Sequence, residues 1–556
     1  MKKFSSKKSV QILAHVLKEY GVADVVISPG SRNAPIAIHF SETEYFNCYS
    51  IIDERSAGFV ALGMAKSENK PVAVTCTSGS AAANYYPSVT EAFYGNIPIL
   101  YITADRPNEF VDLFDGQTIR QKGLFQQHSY GDFELLEDRE ENAGEINFDI
   151  IKKAVELCIE KQGPVHINIP LAEPLYDLVN EIPVYPSIEK TIQKKGFELP
   201  SSLVADWNTS KRIMILTGTR NYSRELEAQL TQLVKNHSVV VLTEVNSNLY
   251  HEKFFGHIDR YLFSFNEDDF RTYAPDLLIT IGQNVVSKKV KQFLRKAHPK
   301  NHWHIDEHWQ PDTYFCLTQK IETSAENFFG KLLEKASLEP SAYYNLWDSL
   351  RTKRDLKHNE YVNLTGFSDF NLFYLLSMKI PENYRIHFSN SSAIRYAQLF
   401  DFHKHHVFCN RGTSGIDGAS STAMGFAIKN KNPTVLITGD LGFFYDINAL
   451  WNQYIPPFTR IVLFNNDGGS IFRIIPGPGN ANENILDEFI ATKERRSAEY
   501  LAKSFGFGYV KVEDDNTLER VLDNFFKPDA QPKILEVMTG EIENAEILKK
   551  YFAYLK

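Results

Sequence analysis

Two strand ends in the last third of the sequence carry oxygen ligands of the kind a hard divalent cation uses. The apolar run PTVLITGD ends on Gly439-Asp440, and the next, RIVLFNNDGGSIF, passes through Asn465-Asn466-Asp467-Gly468-Gly469. Mg²⁺ takes an octahedron of oxygens, typically one or two side chains, a backbone carbonyl, phosphate oxygens and water. Asp440 and Asn466 are the side-chain candidates and Gly468 the carbonyl, while the glycines let backbone and a diphosphate approach closely. A Gly-Asp after a strand is often only a turn or a helix cap. Its pairing with a neighbouring strand end, across a helix such as FFYDINALWNQY, is far more specific. Counting a fixed interval from Asp440 would move the second ligand to Asp467. Loops vary in length more readily than motifs vary in order, which favours Asn466.

Other chemistry-bearing residues also follow apolar runs. Glu54 stands between CYSIID and the helical RSAGFVALGMAKS, where a carboxylate either serves the helix dipole or acts as a proton donor and acceptor. SPGSRNAPI puts Ser31 and Arg32 at a strand-to-helix turn able to hold a carboxylate, TADRP supplies Arg106, and DGQTIRQ supplies Gln117. GQNVVSKKV offers Lys288 and Lys289, SNSSAIRYAQ offers Ser391 and Arg395, and CNRGTSGIDGASSTAMG offers Arg411 and Ile416. Several cations at strand ends, in a chain of net charge -9, predict a small polyanionic substrate.

The elements that must position these residues are short apolar runs alternating with amphipathic segments. ADVVIS, PVAVTCTS, IPILYITAD and PVHINIP form one series; RIMILTGT, SVVVLTEV, PDLLITIGQ and NHWHIDE a second; YRIHFSNSS, HVFCNRG, PTVLITGD, TRIVLFNND and PKILEVMTG a third. At 556 residues the chain is too long for one core. The expected fold is α/β, with three doubly wound domains of mostly parallel sheets over residues 1–180, 195–340 and 360–556. The acidic balance argues against nucleic acid. The five scattered cysteines fit buried free thiols in a reducing compartment. The N-terminus turns amphipathic after its lysines and no run reaches membrane-spanning length, so a cytoplasmic protein is expected.

The order of glutamate, Gly-Ser turn (TCTSGSAAANY), Gly-Asp and Asn-rich strand end resembles the thiamine-diphosphate decarboxylase and synthase superfamily over nearly the whole chain. The resemblance implies a pyruvate-oxidase-like architecture of pyrimidine-binding, central and diphosphate-binding domains, using thiamine diphosphate with Mg²⁺ or Mn²⁺. Glu54 would protonate the aminopyrimidine ring. Thr77, Ser391, Gly415, Gly439 and Leu441 would contact the cofactor beside Asp440, Asn466, Gly468, Gly469 and Ile471, and Ile416 would be the wedge that keeps it bent. Active sites in that superfamily lie between subunits, which implies a homodimer or a dimer of dimers.

The phrases SPGSRNAPI, ADRP, NRGTSGIDG and NNDGGSIF are similar to the branch that joins 2-oxoglutarate to isochorismate in menaquinone biosynthesis, with loss of CO₂. By that likeness Arg395 and Arg411 would hold the 2-oxoglutarate-derived carboxylate, with Ile471 and Phe472 beside its carbons. Ser31, Arg32, Arg106, Gln117, Lys288 and Lys289 would line the isochorismate site. Lys289 departs from the arginine common there, keeping the charge but losing the bidentate fork. The alternatives are an acetolactate-synthase-like carboligase, a flavin-containing oxidase of the superfamily, or a thiamine-diphosphate-binding protein without catalysis.

Overall fold

The computed structural model describes residues 3–190, 196–337, 339–474, 477–478, 481–493 and 496–556. The apolar runs form strands and sort into three sheets, each parallel throughout. The N-terminal sheet runs Asn47–Ser50, Asp24–Ile27, Val72–Cys76, Ile99–Asp105, Val165–Pro170, Asp132–Glu134 across its width. The C-terminal sheet runs His406–Phe408, Arg385–Phe388, Thr434–Gly439, Arg460–Asn465, Lys533–Met538, Gly508–Val512. Numbered in chain order within each sheet, both read 2-1-3-4-6-5, so the outer units share one topology. The middle sheet, of five strands from Ile213–Thr217 to Gln319–Ile321, reads 2-1-3-4-5.

Burial on both faces explains the unbroken apolar runs. In strand Asp24–Ile27, Val25 and Ile27 pack with helix Lys8–Glu19 on one side, while Val26 packs with helix Glu54–Glu68 on the other. In a 2-1-3 arrangement the chain leaves strands 1 and 3 in opposite directions, opening a crevice at their carboxyl ends where ligands bind. That crevice is edged by Ser28–Gly30 and Thr77–Gly79 in the N-terminal unit, and by Ser389–Ser391 and Asp440 in the C-terminal unit.

Helix Glu54–Glu68 crosses helix Ala419–Lys429 at backbone contact distance. A Cβ on Gly63 would lie 2.0 Å from the Thr422 carbonyl oxygen, and one on Gly425 would lie 2.1 Å from that of Val60. Helix Tyr343–Val362 connects the middle and C-terminal units. The expected helix over FFYDINALWNQY is instead helix Asp440–Tyr445 followed by a 3₁₀ turn Ile447–Leu450. Asp446 ends the helix because its carboxylate accepts from the backbone N–H and hydroxyl of Ser421 at 2.7 and 2.8 Å. All five cysteines are free thiols, four of them buried. Among the described residues no helix is long and apolar enough to cross a membrane.

Candidate active site

Three groups of side chains gather at the carboxyl ends of the sheets. The first surrounds Asp440, which is buried and opens its helix at the end of strand Thr434–Gly439. One carboxylate oxygen accepts the Gly468 N–H at 2.8 Å and the other the Leu441 N–H at 2.7 Å. Burial pushes this carboxyl up to about 7, and the neighbouring charge of Asp369 adds to the shift against the backbone hydrogen bonds. Asn466 is also buried; its Nδ2 donates to Asp369 Oδ2 at 2.7 Å and to Ser470 Oγ at 3.1 Å. Asp369 in turn accepts from Thr539 Oγ1 at 2.6 Å, and its N–H donates to Asn544 Oδ1 at 2.8 Å. With its nitrogen so engaged, the Asn466 amide oxygen is the end left for a cation.

Gly468 has φ +128°, and a Cβ there would lie 2.8 Å from the Thr492 carbonyl oxygen, so only glycine fits this turn. Ile471 is buried at the start of the short helix Ile471–Ile474, and the Phe472 ring packs over Gly469. Two buried carboxylates, an oriented amide and a glycine turn at adjoining strand ends suit a divalent cation carrying a diphosphate.

The second group holds the C-terminal and middle cations. Ser391 has φ +67°, a strained backbone of the sort held at functional sites. Arg395 lies on helix Ser392–Ala397, which starts directly after it. Arg411 Nη1 donates to Asn390 Oδ1 at 2.8 Å, and Asn390 Nδ2 reaches the carbonyl oxygens of Asn410 and Gly415, both at 2.7 Å. Ile416 packs over Gly442 in the helix that Asp440 begins. In the middle domain Ser287 caps helix Lys288–Ala297 and is hydrogen-bonded to Asp259. Burial raises the Asp259 pKa, opposed by the Ser287 hydrogen bond and by the charges of Arg395 and Lys289. Lys288 and Lys289 are both exposed at the start of that helix, and the charge of Lys289 acts on the same carboxylate as that of Arg395.

Glu244, Asp259 and Lys291 are residues that the sequence reading missed. Glu244 accepts the N–H groups of Val286 and Ser287, both at 2.7 Å, and burial pushes it up to about 7. Burial lowers the pKa of half-buried Lys291, against the charge of Glu244 and with that of Arg411. Its spacing of three from Lys288 on one helix face was the available signal.

The third group belongs to the N-terminal unit. A Cβ on Gly30 would lie 2.4 Å from that of Thr77, and the Arg32 N–H donates to Thr77 Oγ1 at 3.2 Å, so the two switch-point turns interlock beside Ser31. Arg32 is buried, donating to the Leu171 carbonyl oxygen at 2.8 Å and paired with Glu173 at 3.1 Å. Burial lowers its pKa and the charge of Arg106 lowers it further. Arg106 Nη2 donates to the Gly116 carbonyl oxygen at 3.0 Å, and the Gln117 carbonyl oxygen accepts from Ser78 Oγ at 2.8 Å. Glu54 is the first residue of helix Glu54–Glu68, capped by Asp53 through the Arg55 N–H at 2.9 Å. Its pKa is raised by burial and, against a backbone hydrogen bond, by Asp53. That helix start is tied to the C-terminal unit: Arg55 donates to the Tyr445 carbonyl oxygen and Asn448 to Asp53, both at 2.8 Å.

Arg32, Arg106, Arg395 and Arg411 each leave a buried Nε without a hydrogen-bond partner. Arg354 is the one other arginine in this condition among the described residues. An unmade buried hydrogen bond costs about 1–3 kcal/mol, more for a charged group, so four such donors suit anions. Among the described residues, no hydrogen bond or ion pair within the chain links Ser31, Arg32, Arg106 or Gln117 to the Arg395–Arg411 group or to Asp440.

Three family models cover the chain: the N-terminal thiamine pyrophosphate (TPP) binding domain of thiamine pyrophosphate enzymes over residues 7–133, the middle domain over 188–376, and the C-terminal TPP binding domain over 391–537. The class is therefore a thiamine pyrophosphate (diphosphate) enzyme. The 2-succinyl-5-enolpyruvyl-6-hydroxy-3-cyclohexene-1-carboxylate synthase of Flavobacterium johnsoniae is 45% identical over 551 residues, 98% of each chain. That of Flavobacterium psychrophilum is 44% identical over 547 residues, again 98% of each. That of Bacteroides thetaiotaomicron is 35% identical over 562 residues and the full length of both. The chain belongs to this synthase family.

Proposed function

We propose that the protein decarboxylates 2-oxoglutarate and joins the remaining four-carbon unit to isochorismate, releasing CO₂ and 2-succinyl-5-enolpyruvyl-6-hydroxy-3-cyclohexene-1-carboxylate in menaquinone biosynthesis. The observation that carries this reading is the set of four buried, unpartnered guanidinium nitrogens, which dicarboxylate substrates satisfy and pyruvate does not. Bound thiamine diphosphate supplies the electron sink that makes loss of CO₂ feasible. Asp440, Asn466 and the Gly468 carbonyl hold its Mg²⁺. Glu54, whose carboxyl pKa is raised by burial, donates and recovers a proton at the pyrimidine nitrogen. Arg395 and Arg411 hold the 2-oxoglutarate carboxylate, and Ser31, Arg32, Arg106 and Gln117, helped by Lys288 and Lys289, hold isochorismate. Ser391, Ile416 and Phe472 wall the reacting centre from water. Release of CO₂ from 2-oxoglutarate, with little from pyruvate, tests the donor; preference for pyruvate would favour an acetolactate-synthase-like enzyme.

The active site in this reading is shared between two chains of a homodimer or dimer of dimers, one contributing Glu54 and the other Asp440. Support comes from Ser31, Arg32, Arg106 and Gln117, which among the described residues make no hydrogen bond or ion pair within one chain to Arg395, Arg411 or Asp440. Glu54→Gln and Asp440→Ala variants test it. Each should be inactive alone, and co-expression should restore activity, because one of the two mixed sites is intact; no recovery in a purified mixed dimer contradicts the shared site. Free thiols in every cysteine support a cytoplasmic location.

A further inference from the structure

Glu91 is a buried carboxylate on helix Tyr86–Gly95 of the N-terminal unit, and all its hydrogen bonds go to a loop of the C-terminal unit. One oxygen accepts the Gly412 N–H at 2.8 Å. The other accepts the Thr413 N–H at 2.7 Å and the Thr413 hydroxyl at 2.9 Å. A Cβ on Gly412 would lie 2.5 Å from the Glu91 carbonyl oxygen, so the loop can come this close only with glycine there. Lys66, from the helix that Glu54 begins, grips the other end of the same segment at the Cys409 carbonyl oxygen, 3.3 Å away. Between the two grips stands Arg411.

The rest of Arg411 is fixed from the other two domains. Asn284 of the middle unit donates to its carbonyl oxygen at 2.7 Å, and its own Nη1 donates to Asn390 of the C-terminal unit. The backbone on both sides of the arginine and its own carbonyl oxygen are thus held, while its Nε stays unpartnered and buried. A carboxylate accepting three hydrogen bonds is a strong anchor, because charge-assisted bonds are about twice as strong as neutral ones. A loop that needed only closing could use water or a neutral acceptor.

We propose that Glu91 is a positioning residue for substrate specificity: by holding Gly412 and Thr413 it sets the guanidinium of Arg411 where the 2-oxoglutarate carboxylate binds. Glu91 touches no substrate itself and acts through the loop. The inference rests on the role given to Arg411 above, and the test separates the two.

Glu91→Gln keeps the side-chain shape but cannot accept at both positions, since its amide nitrogen must face one of the two N–H groups. The expected result is a rise of about tenfold in KM for 2-oxoglutarate, with KM for isochorismate and kcat at saturation within about twofold of the parent, a split that general loosening of the fold would not produce. Thr413→Val removes one of the three bonds and should shift the same KM by a smaller factor; it decides the matter if Glu91→Gln does not fold. Arg411→Gln is measured alongside. If Arg411→Gln raises the 2-oxoglutarate KM and folded Glu91→Gln does not, the role of Glu91 is wrong and that of Arg411 stands. If Arg411→Gln leaves that KM unchanged, both are wrong.

Discussion

Replacing Glu54 by glutamine separates chemistry from architecture more cleanly than any other single change. Glutamine has the same shape, so no cavity opens, and Asp53 continues to cap the helix through the N–H groups of Arg55 and Ser56 at 2.9 and 3.4 Å. The ties from Arg55 to Tyr445 and from Asn448 to Asp53 also remain. A carboxylate in the first helical turn gains about 0.3–1 kcal/mol from the helix dipole, and this is lost. Against it, the glutamine no longer places a charge in a half-buried site beside Asp53. The two effects oppose one another, so the change in stability at neutral pH should stay within about 1 kcal/mol.

The sign of its pH dependence follows from the raised pKa of Glu54. Such a group favours the folded state below its unfolded value, and that contribution disappears as pH rises through the folded value. The variant should therefore gain stability relative to the parent as pH rises from about 4, near the unfolded carboxylate value, through the higher folded value. Turnover should fall by about 10²–10⁴-fold, the usual contribution of a positioned acid–base group. Stopped assays of CO₂ from 2-oxoglutarate, thermal melts across that pH range and calorimetric binding of thiamine diphosphate read all three. Turnover within a few-fold of the parent, in a variant that binds the cofactor normally, would refute the role given to Glu54.

Three further perturbations probe other parts of the site. Asp369→Ala leaves the Asn466 amide held by Ser470 alone, so Mg²⁺ affinity should drop by about 10–100-fold, the usual cost of losing an outer-shell partner; calorimetric titration of the apoprotein with Mg²⁺ in the presence of thiamine diphosphate checks it. Arg395→Gln removes a charge-assisted contact of about 1.5–3 kcal/mol. The kcat/KM for 2-oxoglutarate should fall by about 10–100-fold, with cofactor affinity unchanged in the same titration. Gly425→Leu pushes a side chain into the Val60 backbone 2.1 Å away and should destabilise by at least the ~1–3 kcal/mol of ordinary overpacking, read as a lowered thermal midpoint.

What the sequence discloses follows from how each residue earns its place. Central strands such as Val72–Cys76 and Ile99–Asp105 are buried on both faces, so they read as unbroken apolar runs. Edge strands Asp132–Glu134, Gln319–Ile321 and Gly508–Val512 are partly exposed, and they carry no such signal. The switch-point turns were legible because glycine, aspartate and asparagine must follow a strand there. Glu91 and Asp369 were not. Glu91 sits in YPSVTEAFYG, indistinguishable from a solvated helix residue until residues 412–413 close over it, and Asp369 reads as an ordinary first-turn aspartate behind the Ser368 cap. Their roles exist only between segments far apart in the chain.

The most direct test supplies the purified protein with 2-oxoglutarate, isochorismate, thiamine diphosphate and Mg²⁺ and follows the products by mass. One CO₂ should appear for each isochorismate consumed, together with an adduct heavier than isochorismate by the four-carbon remainder of 2-oxoglutarate, and neither should form when the cofactor is withheld. CO₂ without the adduct, or an adduct formed equally well from pyruvate, would contradict the assignment.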